Sequence, residues 1–132
     1  MENKDYVSYE LALALKKCGF DEPCDHYYCA FDNETDVRFW GIHPAQSQNG
    51  FTDPDGKVIA DAPLLSHVQK WLREKKEIFV EVTSEALHDW DFFVMELDED
   101  ANIGVVRGSE IYPTYEQALS AGIAAALELI KK

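Results

Sequence analysis

At 132 residues, with 46% hydrophobic and 12% aromatic content, the chain has the length of one domain and a composition far from that of disordered proteins. Its 25 acidic against 12 basic residues leave a net charge of −13, which argues against direct nucleic-acid binding through Lys and Arg at phosphates and against an anionic membrane surface. The plain reading of the acidity is a cytoplasmic surface kept soluble by mutual repulsion, and the sharper alternative is a protein that mimics nucleic acid.

Met1 to Asp5 offers no basic segment followed by an apolar core, so no export signal is expected, and no apolar run reaches the roughly 20 residues that a membrane span needs. Three cysteines, an odd number, then read as reduced thiols.

Val7, Leu11, Ala14, Leu15 and Cys18 form a helical stripe, with Ser8 or Asp5 as N-cap and Gly19 as the stop. His26 to Phe31 and Val37 to Ile42 are aromatic and β-branched around a polar run, which predicts a β-hairpin. Gly41 to Asp61 is the least regular segment. It carries the turn tetrapeptide Asp53-Pro54-Asp55-Gly56 and reads as a long loop, interrupted by a short strand at Lys57 to Ile59.

Leu64, Leu65, Val68, Trp71 and Leu72 give a second helix, entered through Asp61 and Pro63 and ending among Arg73, Lys75 and Lys76. Ile78 to Thr83 and Trp90 to Leu97 read as strands joined by Ser84 to Asp89, and Ile103 to Val106 as a further strand. Tyr115, Ala118, Leu119, Gly122, Ile123, Ala126, Leu127 and Ile130 then repeat at helical spacing. Thr114 and Gln117 stand as a capping box, and Pro113 lies just before them. The expectation is one α+β domain over 1–132: a mostly antiparallel sheet of about five strands with three helices, in the order α-ββ-α-βββ-α.

No reactive constellation stands out. Cys18, Cys24, His26 and Cys29 lack zinc-knuckle spacing, and Cys18 lies on the apolar helix stripe. A calcium loop built on Asp53 and Asp55 would need a closing Glu where Ala62 stands. No nucleophile elbow and no glycine-rich phosphate loop occur, so no catalytic residue, metal or cofactor is assigned. The long loop remains the place for a hidden site, with Trp40, His43, Asp53 and Asp55 as candidate binding residues.

The strands are apolar on both faces. Trp90, Phe92 and Val94 alternate with Phe93, Met95 and Leu97, and the first hairpin is similar. Exposing each such side chain forfeits roughly 1.5 to 3 kcal/mol, so either helices cover both faces or a partner does. A homo-oligomer or protein partner through the apolar sheet face is therefore expected.

Gly19-Phe20-Asp21-Glu22-Pro23-Cys24, Ala62-Pro63-Leu64 leading to Gln69 through Glu74, and Tyr115 through Gly122 resemble a family of small proteins of unassigned activity from gut Bacteroides-type bacteria, their phages and mobile elements. The resemblance spans most of the chain. It implies an intracellular accessory protein, with phage or mobile-element origin among the options, and brings no functional residue with it. The leading functional expectation is a non-enzymatic binding or interaction domain. A small enzyme with its site in the 41–61 loop is the alternative.

Overall fold

A computed structural model describes residues 4–31, 36–41, 52–53, 56–87, 89–97, 103–108 and 110–130. The chain divides into two compact units, Met1–Leu64 and Leu65–Lys132.

In the first unit, helix α1 spans Tyr9–Lys17 and buries Leu11, Ala12 and Leu15. Of the two possible caps it uses Ser8, whose Oγ accepts from the Leu11 N–H at 3.2 Å. The helix stops in a Schellman arrangement. Gly19 takes φ +87°, its N–H donates to Lys16 O, and the Phe20 N–H reaches back to Leu15 O at 3.0 Å. Phe20 is buried, which locks the exit of the chain.

Strands β1 (His26–Phe31), β2 (Asp36–Gly41), β3 (Thr52–Asp53) and β4 (Gly56–Asp61) form an antiparallel sheet in the order β2-β1-β4-β3. Strand β1 is internal, and Tyr27, Tyr28, Cys29 and Ala30 are all buried. That is why its sequence fails to alternate: both of its faces are covered. The N–H of Val7 donates to Pro63 O at 3.0 Å, and Tyr6 bridges Leu64, so the start and the end of this unit lie side by side.

In the second unit, helix α2 (Leu65–Lys75) buries Leu65, Val68, Trp71 and Leu72. Strands β5 (Ile78–Ala86), β6 (Asp89–Leu97) and β7 (Ile103–Arg107) form a three-stranded antiparallel sheet in sequence order. Helix α3 (Tyr115–Ile130) packs on β5 and β6, and α2 packs on β5 and α3. The Thr114 cap forms, with Gln117 N–H donating to Thr114 Oγ1 at 3.1 Å. The box closes differently from the usual one, since the Thr114 hydroxyl itself reaches Gln117 Oε1 at 3.2 Å.

The class is α+β with three helices, as the sequence predicts, but the strand count and order need correcting. Among the described residues there are seven strands in two sheets, not about five in one, and the order is α-ββ-ββ-α-βββ-α. The difference lies in the supposed loop 41–61. The short strand expected at Lys57 to Ile59 is present and longer, as β4, which pairs with β1 from Lys57 to Asp61, and the two residues of β3 fold back on it. The connection from Ser84 to Asp89 is also shorter than expected. Strand β5 continues through a register shift at Ser84 and Ala86, where polar and small residues of low strand propensity occupy an exposed strand end.

Candidate interaction surface

The four residues singled out from the sequence fall on the first unit. Trp40 lies in β2, paired with Tyr27. Asp53 pairs with Gly56 at the β3–β4 turn, while His43 and Asp55 lie outside the described residues. The structure thus places Trp40 and Asp53 on different strands of one sheet.

Next to β1 stands an aromatic group that the sequence did not single out. His26 stacks on Phe39 with ring centroids 5.1 Å apart and planes 10° from parallel, and Tyr6 closes against both at 4.5 and 5.2 Å. Register explains the grouping. His26 and Tyr28 alternate onto the same face of β1, and Phe39 pairs with Tyr28. The Tyr28 hydroxyl donates to Val7 O at 2.7 Å, tying the N-terminal segment over this face. The group is scaffold: its rings pack on one another and on the chain start.

None of Cys18, Cys24 and Cys29 is joined in a disulfide. Burial pushes the Cys24 thiol up to about 12, with Asp61, Asp25 and Glu22 adding to the rise. Its Sγ donates to Glu22 O at 3.3 Å. A thiol so protonated is a poor nucleophile and a poor metal ligand at neutral pH. Among the described residues, no group of three or more His, Cys, Asp or Glu side chains is placed to hold a metal ion. No helix is long and apolar enough to cross a membrane, again among the described residues.

The second sheet is different. Cross-strand register puts Val80, Val94 and Val106 in one row and Phe79, Met95 and Val105 in the adjacent row on the opposite face, with Phe93 beside the latter. The first face meets α3: a Cβ added at Gly122 would sit 2.7 Å from Val80 Cγ1 and 3.2 Å from the Phe92 ring. Val80, Phe92 and Val94 are accordingly buried. On the other face Phe79, Phe93 and Met95 are half-buried and Val105 is 55% exposed.

The two edges of this sheet are also unequal. The Gly108 N–H donates to Phe92 O, which sets the phase of the β6–β7 ladder. Val94 and Val106 then exchange bonds with each other, and the backbone of Val80 points away from β6. Gln69 of α2 meets it there, its Nε2 donating to Val80 O at 2.7 Å. On β7 the same phase turns the N–H and C=O of Ile103, Val105 and Arg107 outward, and no strand among the described residues pairs with them. Val105 and Val106, exposed beside this edge, read in the sequence only as part of another strand. The short run 103–106, with Gly104 inside it and Gly108 two residues after it, was the available signal, and it does not distinguish an edge from an interior strand.

No protein-family model, no curated protein and no solved structure matches the chain.

Proposed function

We propose that the chain is a non-enzymatic protein-interaction domain acting inside the cell, which engages another protein chain through the outer face of its second sheet. The observation that carries this is the cluster of Phe79, Phe93, Met95 and Val105 on the face opposite α3, only partly withdrawn from water. The high thiol pKa of Cys24 adds support, because it leaves little thiolate for catalysis. Three reduced cysteines and the acidic surface support a cytoplasmic setting. The resemblance to proteins of Bacteroides-type bacteria and their mobile elements supports an accessory role there.

Radical footprinting tests the reading, because Met95 and the two phenylalanines report directly on the face. Labelling of Met95, Phe79 and Phe93 in dilute pure protein is expected to fall several-fold in concentrated protein or in host lysate. Equal labelling in all three conditions would falsify it.

A further inference from the structure

Resting on that reading, we infer that the outer edge of β7 accepts an extended, basic segment of a partner protein as an additional strand. The backbone specifies the shape of the occupant. Outward N–H and C=O groups at Ile103, Val105 and Arg107 repeat every second residue, a spacing that only another extended chain matches along its length. The opposite edge, at β5, is already engaged by Gln69, and β7 has no such cover among the described residues. An unprotected edge of this kind is usually blunted by Pro, Lys or a bulge, and the β6–β7 register runs without a shift.

Side chains then narrow the choice. Val105 continues the row from Phe79 and Met95, and Val106 continues the row from Val80 and Val94. They are 55% and 42% exposed, so both rows end in apolar surface at the edge. An incoming strand with two adjacent apolar residues would extend both rows, one on each face. Apart from Arg107 at the end of β7, the charge around them is acidic. Glu96 pairs with Gly104, Asp91 lies against Gly108, and Glu110 follows close behind and is exposed. A second copy would bring the same carboxylates and another net charge of −13 to the joint, whereas Lys or Arg flanks would meet them favourably.

The probe is a synthetic peptide, Lys-Thr-Lys-Val-Val-Thr-Lys-Thr-Lys, beside a counterpart carrying Glu at every Lys position. Residue-resolved amide exchange of the whole chain is the readout. The basic peptide is expected to slow exchange at Val105 and Arg107 by about tenfold or more, and the acidic one to leave it unchanged. Val105→Pro removes one outward donor without removing a β6–β7 bond, and it should abolish the protection while β6 amides stay slow. Val105→Lys keeps the donor but repels the basic peptide, and it should weaken binding several-fold. Unchanged exchange in millimolar basic peptide overturns the inference, as does equal protection by the acidic peptide. Protection that appears without peptide as the mass doubles also overturns it, in favour of self-pairing. Footprint changes at Met95 without β7 protection would leave the interaction reading standing and remove the edge.

Discussion

Gly122 of α3 lies so close to Val80 of β5 that a Cβ at 122 would approach the Val80 Cγ1 methyl to 2.7 Å. Val80 is β-branched and buried, so its methyl has little freedom to turn away. Gly122→Ala gains about 1 kcal/mol of helix propensity. The clash costs more, because overpacking a tight core typically loses about 1 to 3 kcal/mol and the Phe92 ring stands at 3.2 Å on the same side. We expect a net loss of about 1 kcal/mol in urea unfolding. Val80→Ala should turn Gly122→Ala from destabilising to neutral or stabilising, and a purely additive double-mutant cycle would show that the two do not meet.

Tyr28 and Val7 are joined by a buried bond of 2.7 Å between hydroxyl and carbonyl. Tyr28→Phe removes the donor, keeps the ring against Tyr9 and Phe39, and leaves the carbonyl without it. A loss of about 1 to 2 kcal/mol follows, read as a lower urea midpoint at constant slope. No shift in the midpoint would mean that water replaces the hydroxyl.

The Schellman stop at Gly19 and the capped start at Thr114 were legible because each is written in a few neighbouring residues. The α3 stripe was legible for the same reason, with Ala118, Leu119, Gly122, Ile123, Ala126 and Leu127 all buried. The division into two sheets was not. Lys57 to Ile59 read as a short strand, but which strand it joins depends on β1, roughly 30 residues away, and propensity carries no knowledge of partners. The open edge of β7 was hidden likewise. Val105 and Val106 look like any interior pair until the strand order shows nothing beyond them among the described residues.

Thr114 offers a cleaner local test. Thr114→Ala should cost about 1 kcal/mol by removing the acceptor of the Gln117 N–H, while Thr114→Asp should retain most of the stability and favour the helix N-terminus electrostatically. Equal losses in the two variants would show that the cap contributes nothing.

Cys24 gives the chain an alkaline limit. Its thiol stays protonated in the folded protein up to about pH 12, whereas an unfolded thiol ionises near 9. The unfolded state thus releases a proton that the folded state retains, so this contribution to stability is complete below about 9 and is lost progressively up to about 12. Cys24→Ala should flatten the decline in urea midpoint across that window, and folded protein should resist iodoacetamide at this position. Identical alkaline profiles for the two proteins would show that the decline comes from other groups.

The joining of Val7 to Pro63 and of Tyr6 to Leu64 bears on how the chain is made. These partners are roughly 60 residues apart, a loop whose closure costs about 3 to 4 kcal/mol in chain entropy. On the ribosome, α1 and the β1–β2 hairpin emerge first, yet the segment that ties them down comes only with residue 63. Until then the face of α1 that packs on β4 lacks that partner. The first unit therefore gains the bond that ties its start to its end only when residue 63 has left the exit tunnel.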